Sequence, residues 1–458
     1  MIKRKALDIL ENWKTDTARK PLVLRGARQV GKTSLVREFA KSYEQYIEIN
    51  FDETPEKLSY FKNRNIEDTI KFIEAEQNIK ITKSLTLLFF DEVQEAPDVL
   101  PMLRYFYEKR PDIHVIVAGS LLEFILTDHN FSMPVGRIDY YFLGPLSFEE
   151  YLGGAKQSGL LELISSYRIS DEIPEALHLK IMNFHREYSL IGGMPEAVSR
   201  WFQTEDFLEV QKVHTSILQT YEDDFSKYKK RINPEILRTT LRSLPRLVGE
   251  KLKYVNIDPE YSSTQLKSSI NALVAAKIMV SIYHCDGNGV PMGAEVNTKK
   301  LKPLLLDVGL LSTSLSLNLT HLNNLEDVML VNNGALAEQY IGQELLTSFP
   351  YWRKPELYYW HREARGSNAE IDYLIDDGPN IIPIEVKAGK TGSLRSLHTF
   401  MAEKKYKLAL RFNTDTPSQF QVNTDINTIG NANYLLISLP LYLSGQAKRL
   451  LNEIETKK

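Results

Sequence analysis

The first residues of this sequence that could perform chemistry form a short glycine-containing loop. Gly26 and Gly31 bracket four residues and are followed by Lys32 and Thr33, which completes the pattern GxxxxGK[S/T]. An apolar run precedes the loop and the amphipathic segment SLVREFAKSY follows it, as the motif requires. Backbone N–H groups in such a loop, together with the positive end of the helix dipole, bind phosphate. The predicted phosphate-binding residues are Gly26, Ala27, Arg28, Gln29, Val30, Gly31, Lys32, Thr33 and Ser34.

Individual side chains have distinct predicted roles at this site. We expect the Lys32 ammonium to contact the β- and γ-phosphates of a nucleotide and the Thr33 hydroxyl to bind Mg²⁺. The carboxylate pair Asp91 and Glu92 directly follows the apolar run LTLLFF, at the end of a strand, where ligands bind in open α/β sheets. Asp91 is expected to hold Mg²⁺ through water, and Glu92 to orient or deprotonate the attacking water. The alternative for the loop, a fortuitous glycine turn, would not explain why this carboxylate pair follows a buried strand.

Two further residues are candidates for sensing or stabilising the phosphates. Ser120 ends the apolar run HVIVAGS and could contact the γ-phosphate, although a Gly-Ser turn that simply ends a strand explains it equally well. Arg137 could stabilise the charge of the transition state, from its own chain or from a neighbouring subunit. An ordinary surface arginine is an equal alternative for Arg137.

A second group of candidate residues lies nearer the carboxyl terminus. Asp372 lies in the run AEIDYLID, and Glu385 and Lys387 are two residues apart in IIPIEVKAG, so their side chains share one face of a strand. Two carboxylates able to bind Mg²⁺, beside a lysine that positions water, are the elements of a metal-dependent nuclease. Glu338, on a predicted helix upstream, is a candidate outer metal ligand. The alternative is a salt-bridged surface hairpin.

A basic stretch in the middle of the chain could bind a phosphate backbone. Nine basic and two acidic residues lie between positions 227 and 253, and Arg238, Arg242 and Arg246 recur every four residues, as on one helix face. A solvated face balanced by acidic residues just upstream is the alternative. The next predicted helix has only Lys267 and Lys277 as basic residues. This weakens direct DNA recognition and leaves protein packing as an explanation.

Apolar spacing predicts the elements that must position these residues. Short apolar runs alternate with helical periodicity between 21 and 144, as in a parallel α/β sheet buried on both faces. Helical spacing then dominates, and helices followed by the runs KIMVSIYH and KPLLLDVGLL predict a winged helix. A second α/β domain follows. The predicted domains are a P-loop core at 1–145, a helical lid at 146–230, a winged-helix-like domain at 231–320 and a nuclease-like domain at 321–458.

The composition limits the location and the partners of the protein. The 458 residues are 43% hydrophobic and 25% charged, which is typical of a soluble globular protein with two to four domains. A formal net charge of −3 gives no overall attraction to nucleic acid or anionic lipid, so any such partner must bind a local patch. The one cysteine, Cys285, excludes an internal disulfide, and the apolar runs are too short to span a bilayer. We therefore expect a cytoplasmic protein that does not bind membranes.

Several motifs together resemble one family of nucleotide-hydrolysing proteins. They are RGARQVGKTSL, FFDEVQ, VAGSLLEF, PVGRIDYYFLGPLSFEEYL, GGMPEAV and Y-x-DDFSKY, and their order is more specific than the phosphate loop alone. The chain resembles the AAA-type ATPases of bacteria and archaea that are often grouped near the STAND NTPases. The resemblance implies ATP and Mg²⁺ as cofactors, Asp91 and Glu92 as the Walker B pair, and Arg137 in the family's GR element.

That family carries a C-terminal domain that resembles restriction-endonuclease folds, and the spacing Asp-x12-Glu-x-Lys is similar to the PD-(D/E)xK nuclease core. Ile371 stands where a proline usually precedes the aspartate, which leaves cleavage activity open. The resulting hypothesis is an ATPase whose nucleotide state moves the lid and winged helix and presents the nuclease-like domain to DNA, with self-association as a further expectation. The alternative is a nucleotide-gated switch or scaffold whose terminal domain binds without cutting.

Overall fold

The amino-terminal part of the computed structural model is a parallel sheet, with the phosphate loop at its carboxyl edge. The structure describes residues 2–63, 65–120, 122, 134, 136–228, 232–315, 334–363, 368–389, 393–426 and 429–455. The sheet has the order β2-β3-β4-β1-β5, and every pair is parallel. Its strands are β1 Leu22–Arg25, β2 Gln45–Asn50, β3 Thr86–Asp91, β4 His114–Ala118 and β5 Asp139–Phe142.

Helices cover both faces of this sheet, which explains why its central strands are apolar without alternation. Leu87 and Phe89 of β3 pack into one buried cluster, and Leu88 and Phe90 into another on the opposite face. The four apolar runs expected to be strands are confirmed, whereas β5, a four-residue edge strand, was not predicted. The helices of this part are α1 Lys5–Thr15, α2 Lys32–Ala40, α3 Ile66–Gln77 and α4 Val99–Lys109.

The segment with helical periodicity is observed as helices. The first of them begins at a capping box, in which the Ser147 side chain accepts from Glu150 N and the Glu150 carboxylate accepts from Ser147 N. The GGMP sequence ends one helix and begins the next. These helices are α5 Phe148–Gly154, α6 Ser158–Ser166, α7 Glu175–Ile191, α8 Pro195–Thr204 and α9 Phe207–Asp224.

The third segment contains helices and a hairpin, but the hairpin does not stand alone. Its first strand, β6, pairs in parallel with β8 of the next segment, so both hairpin strands join the carboxyl-terminal sheet. The run KPLLLDVGLL, expected to be one strand, is divided: Asp307 caps a helix by accepting from Gly309 N and Leu310 N. The elements are α10 Pro234–Ser243, α11 Tyr254–Ile257, α12 Ser263–Ala275, β6 Met279–Cys285, β7 Val296–Leu305 and α13 Val308–Ser314.

The carboxyl-terminal segment completes a mixed eight-stranded sheet of order β12-β13-β11-β10-β9-β8-β6-β7. Strand β12 was not predicted, because its mostly polar sequence SQFQVNTDI lacks an apolar run. The predicted boundary at 320 and 321 lies outside the described residues. The elements are α14 Ala335–Thr347, β8 Tyr358–Arg362, β9 Ala369–Asp377, β10 Asn380–Val386, α15 Arg395–Lys404, β11 Leu408–Asn413, β12 Ser418–Ile426, β13 Gly430–Pro440 and α16 Ala447–Glu455.

Cys285 is buried on β6, as a small apolar side chain would be. Of the helices in the described ranges, none combines the length and the apolar character needed to cross a membrane.

Candidate nucleotide site and carboxylate cluster

The phosphate loop connects the end of β1 to the start of α2. Gly26 has to be glycine, because a Cβ at this position would lie 2.3 Å from the carbonyl oxygen of Leu143. Gly31 caps α2 with a φ of 90°, in the left-handed region that favours glycine. Ala27 and Val30 are buried beneath the loop, whereas Ser34 is exposed in the first turn of α2. The loop therefore presents backbone N–H groups at the start of a helix.

Lys32 is buried, and its ammonium group lies against its own loop. The Nζ atom donates to the carbonyl oxygen of Gly26 at 3.0 Å and to that of Ala27 at 2.7 Å. Burial lowers the pKa of Lys32 to about 8, although Glu92 and Asp91 act in the opposite direction. An anion bound in the loop would supply the negative charge that these neutral carbonyls lack.

Thr33 and Asp91, both expected to hold Mg²⁺, lie in contact. The Thr33 hydroxyl donates to Asp91 Oδ2 at 2.6 Å, which joins the start of α2 to the end of β3. Burial raises the pKa of Asp91, and the hydrogen bond from Thr33 opposes that rise. A hydroxyl and a carboxylate in contact beside a phosphate loop are hard oxygen donors of the kind Mg²⁺ prefers, so these residues fit that ion.

Glu92 is held by two polar neighbours on the same edge of the sheet. Its backbone has a φ of 50°, and its Oε2 atom accepts from Ser120 Oγ at 3.3 Å and from Gln94 Nε2. Gln94 Oε1 is buried without a hydrogen-bond partner in the described part of the chain. Ser120, the candidate sensor of the γ-phosphate, thus lies beside Glu92. Gln94 was missed, although it stands in the motif FFDEVQ.

The loop is also tied to helix α9. Arg28 Nη1 donates to both carboxylate oxygens of Asp224, at 2.6 and 2.5 Å, and Tyr221 donates its hydroxyl to the Arg28 carbonyl at 3.0 Å. Arg28 was predicted only as part of the phosphate loop, and Asp224 only as one of the acidic residues that could balance the basic stretch. Their partnership spans 196 positions of sequence, which no local pattern could reveal.

A second tie to the loop comes from the residue that precedes α1. Arg4 donates to the carbonyl oxygen of Val30 at 3.1 Å and to Glu150 Oε1 at 3.1 Å. Both side chains of this ion pair are buried. Arg4 therefore connects the phosphate loop to the first turn of α5, a role that sequence analysis missed.

Arg137 lies apart from these residues. It precedes β5, whose first residue, Asp139, pairs with Leu22 at the amino end of β1, whereas the phosphate loop follows the carboxyl end of β1. Arg137 Nε donates instead to Glu108 Oε1 at 3.2 Å, near the end of α4. In this arrangement Arg137 is at the opposite edge of the sheet from Lys32 and Glu92, so it does not reach the site of its own chain.

In the carboxyl-terminal domain, the three residues of the predicted nuclease motif are neighbours. Lys387 Nζ donates to Glu385 Oε1 at 2.6 Å, and Asp372 Oδ2 accepts from Val386 N at 2.7 Å. Burial raises the pKa of Glu385 to about 8, and the nearby Asp372 adds to the rise. Glu385 Oε2 is buried without a hydrogen-bond partner among the described residues.

Lys302 of β7 enters this same group, and sequence analysis missed it. Its Nζ atom lies 2.5 Å from Glu338 Oε1, 2.8 Å from Glu370 Oε1 and 4.0 Å from Asp372 Oδ1. Burial alone would lower the pKa of Lys302, but Glu338 and then Glu370 outweigh it and raise that pKa. We call Lys302, Glu338, Glu370, Asp372, Glu385 and Lys387 the carboxylate cluster.

The carboxylate cluster does not fit a metal ion as it stands. Glu338, the expected outer ligand, instead accepts from the Lys302 ammonium. Within the ranges that the structure describes, no group of three or more histidine, cysteine, aspartate or glutamate side chains is arranged to hold a metal. Asp372, Glu385 and Glu338, the residues predicted to share Mg²⁺, therefore lie close together. The positive charge among them is the ammonium group of Lys302 rather than a metal ion.

The predicted basic stripe is partly neutralised. Arg242 makes two hydrogen bonds to Glu222, at 2.8 and 2.7 Å, and Arg238 pairs with Glu235. Arg246 is exposed. Lys229, Lys230 and Arg231 of the same stretch lie outside the described residues.

The parallel sheet, the phosphate loop and the paired Thr33 and Asp91 define a P-loop nucleotide-binding domain. Residues 18–152 match the family model described as "AAA domain". This part of the chain is thus an AAA-type P-loop ATPase domain. Residues 183–321 and 333–441 match two models described as domains of unknown function, DUF8612 and DUF4143, which assign no activity.

Solved structures give only loose likenesses. The Walker-type ATPase paby2304 of Pyrococcus abyssi is 16% identical, with a TM-score of 0.43, over 69% of this chain and 96% of that chain. The STAND protein PH0952 from Pyrococcus horikoshii, which has a tetratricopeptide repeat sensor, is 14% identical, with a TM-score of 0.27, over 76% of this chain and 46% of that chain. At these scores neither carries an argument. No curated protein matches the chain.

Proposed function

We propose that this protein binds and hydrolyses ATP and couples its nucleotide state to its carboxyl-terminal, nuclease-like domain, which acts on DNA. The observation that carries the ATPase proposal is the contact of Thr33 with Asp91 at 2.6 Å, directly beside the buried Lys32. Loop, cation and carboxylates are then in the arrangement that phosphoryl transfer to water requires.

Each residue of the nucleotide site has a defined task in this proposal. The loop N–H groups bind the phosphates, and Lys32 turns from the loop carbonyls to the β- and γ-phosphates. Mg²⁺, held through Thr33 and Asp91, would neutralise charge on the phosphates. Glu92 orients the attacking water and accepts its proton, and Ser120 and Gln94 fix the direction of the Glu92 carboxylate.

The first part of the proposed coupling route leads from the loop into the helical segment. Movement of the phosphate loop on nucleotide binding changes the position of Arg28. Because Arg28 is hydrogen-bonded to Asp224, the end of α9 moves with it. The Val30 carbonyl similarly acts on Arg4 and Glu150 of α5. Both contacts are specific and partly or fully buried, so they transmit displacement better than exposed ion pairs would.

The second part leads into the carboxyl-terminal domain through buried polar groups. Asp307 accepts from Gly193 N at 2.6 Å and from Gln343 Nε2 at 3.4 Å, and Gln343 also donates to the Tyr188 hydroxyl at 2.9 Å. A Cβ at Gly192 would lie 2.0 Å from Asp307 Oδ1, so the GGMP turn fits closely against α13. These contacts join the helical segment, α13 and α14.

Helix α14 is the last part of the proposed route, because it contacts both the helical segment and the carboxylate cluster. Glu344 accepts from Phe148 N at 3.0 Å, at the start of α5, and Glu338 of the same helix belongs to the carboxylate cluster. Six residues on a helix span about 9 Å, so a rigid shift of α14 at one end is felt at the other. This is the structural support for the proposed coupling.

ATP turnover by purified variants tests the first half of the proposal. Lys32→Ala should reduce turnover about 10²- to 10³-fold, because it removes a buried cation aimed at the phosphates. Lys41→Ala is the matched control, since Lys41 follows the same helix and is exposed. Glu92→Gln should keep ATP binding while turnover falls about 10²-fold or more. Wild-type turnover after Lys32→Ala would refute the ATPase proposal.

Hydrogen exchange tests the coupling. ATP should change amide protection in α14 of the wild type, and Asp224→Asn should weaken that change while ATP still binds, because Arg28 loses its ionic partner. Asp223→Asn is the matched control, since Asp223 is the exposed neighbour. An unchanged α14 response in Asp224→Asn would remove Arg28 and Asp224 from the route.

Self-association is part of the proposal because of Arg137. Its position at the far edge of the sheet means that a role at ATP requires the arginine of a second copy. Mixing Arg137→Ala with Lys32→Ala protein should restore turnover if arginine is supplied between subunits. Full turnover by Arg137→Ala alone, or an impaired Arg137→Ala protein that the mixture does not rescue, would exclude this role.

The second candidate function is a nucleotide-gated switch or scaffold whose terminal domain binds without cutting. The specific observation in its favour is the Lys302 ammonium among Glu338, Glu370 and Asp372. Nicking of supercoiled DNA with Mg²⁺ or Mn²⁺ separates the two functions. Nicking that Asp372→Ala and Lys387→Ala abolish supports the nuclease, whereas ATP hydrolysis without any nicking supports the switch.

A further inference from the structure

Lys302 has the surroundings of a bound cation rather than those of a surface lysine. Its side chain is 1% exposed, and its ammonium lies within 2.8 Å of carboxylate oxygens from Glu338 on α14 and Glu370 on β9. Asp372 follows at 4.0 Å, and the Tyr359 ring lies 5.7 Å away. Three carboxylates around one buried positive charge is the pattern that a hard metal ion would otherwise complete.

The fold fixes Lys302 in this place. The end of β7 is hydrogen-bonded to α14 through Gln339, whose amide donates to the Leu305 carbonyl at 2.8 Å and accepts from Leu305 N at 2.9 Å. Gln339 is the neighbour of Glu338, and Lys302 is three residues before Leu305. The lysine and its main carboxylate partner are therefore held in register by the same pair of elements.

We propose that Lys302 is the built-in cation of the carboxylate cluster and that it closes a latent divalent-metal site formed by Asp372, Glu385 and Glu338. This inference rests on the second candidate function and deepens it, because an ammonium in the place of the metal would leave a terminal domain that can bind but cannot cut. It is independent of ATP turnover.

Charge and hydrogen bonding support this inference together. Four carboxylates in the cluster face two ammonium groups, and Lys387 is already engaged with Glu385. Glu385 is 4% exposed, and its Oε2 atom has no hydrogen-bond partner within the described residues. Without the Lys302 charge, four carboxylates, one of which has an unsatisfied oxygen, would share the single Lys387 ammonium, which is the condition under which a divalent cation binds.

Manganese binding by the full-length chain tests this proposal. Free Mn²⁺ is measured by electron paramagnetic resonance in protein that carries Asp91→Asn throughout, so that the nucleotide site does not contribute. In protein that retains Lys302, we expect no Mn²⁺ binding that depends on Asp372. We expect one Mn²⁺ per chain in Lys302→Met, and its loss in Lys302→Met with Asp372→Asn.

Lys299→Met is the matched control, because Lys299 is exposed on the same strand. It should behave as the parent protein. The proposal would be overturned if the parent protein, which retains Lys302, bound Mn²⁺ and the Asp372→Asn variant did not. This comparison does not depend on the folding of any Lys302 variant. Folded Lys302→Met, shown by circular dichroism, that gains no Mn²⁺ would also overturn it. ATP turnover of the Asp91-containing proteins is measured separately, so that failure of the ATPase proposal stays distinguishable.

Discussion

Two buried lysines, one in each α/β region, have opposite surroundings. Lys32 lies against the neutral carbonyl oxygens of its own loop, and burial lowers its pKa to about 8. Lys302 lies among carboxylates, and their charges raise its pKa despite burial. The same side chain therefore contacts neutral carbonyl oxygens in the amino-terminal region, where Glu92 and Asp91 only partly offset burial, and charged carboxylates in the carboxyl-terminal region.

This difference separates a site prepared for a ligand from a site that already holds its partner. A buried cation without a carboxylate costs free energy, which a bound phosphate recovers. A buried cation among three carboxylates is already compensated, so its removal leaves those carboxylates unpaired, and a second cation must displace it. The comparison thus argues for anion binding at Lys32 and against ready metal binding at Lys302.

The largest expected effect is on stability, where the two lysines should differ most. Lys302→Met should lower the free energy of unfolding by about 3 to 5 kcal/mol, because it leaves buried carboxylates unpaired. Lys32→Met should change it by less than about 1 kcal/mol without nucleotide, since no carboxylate loses an ionic partner. Urea unfolding followed by circular dichroism measures both. Equal losses in the two variants would break the comparison.

The next effect concerns the pH dependence of ATP binding. The charged form of Lys32 binds phosphate, and with a pKa of about 8 that form is complete below pH 7 and is lost as pH rises past 8. ATP affinity should therefore fall by up to about tenfold per pH unit above 8, with proton uptake on binding. Calorimetry in buffers of different ionisation enthalpy measures both. Lys32→Arg, whose guanidinium stays charged, should remove the dependence.

The smallest effect is expected at Glu344, between the two regions. Burial raises its pKa to about 8, so this carboxyl group is largely protonated at neutral pH. Glu344→Gln should therefore change stability by less than about 0.5 kcal/mol, since the amide oxygen can still accept from Phe148 N. Glu344→Ala should cost about 1 to 3 kcal/mol, because it leaves that buried N–H without a partner. A glutamine variant as unstable as the alanine variant would show that the charge matters.

Local patterns predicted much of the nucleotide site. The GxxxxGK[S/T] loop, the buried strand that ends at Asp91, and Ser120 at the end of β4 are each set by a few consecutive residues, and the structure brings them to one edge of the sheet. The edge strand β5 was missed although most of its residues are aromatic, because it is only four residues long, and β12 was missed because it lacks the apolar run by which a buried strand is identified.

The position of Arg137 could not be predicted in the same way. Its motif identifies a candidate arginine, but only the register of β5 against β1 puts it at the edge away from the phosphate loop. The hairpin β6–β7 likewise matched a winged helix by sequence, and its pairing with β8 became known only from the sheet.

The sequence alone determined the phosphate loop, the carboxylates that follow β3 and the Asp-x12-Glu-x-Lys spacing, because turn geometry and the alternation of a strand depend on adjacent residues. Tertiary structure decided which charges meet. Arg28 with Asp224, and Lys302 with Glu338 and Glu370, are joined across 196, 36 and 68 positions. Contacts between residues so far apart in sequence follow from the packing of whole helices and strands, so no rule of residue spacing predicts them.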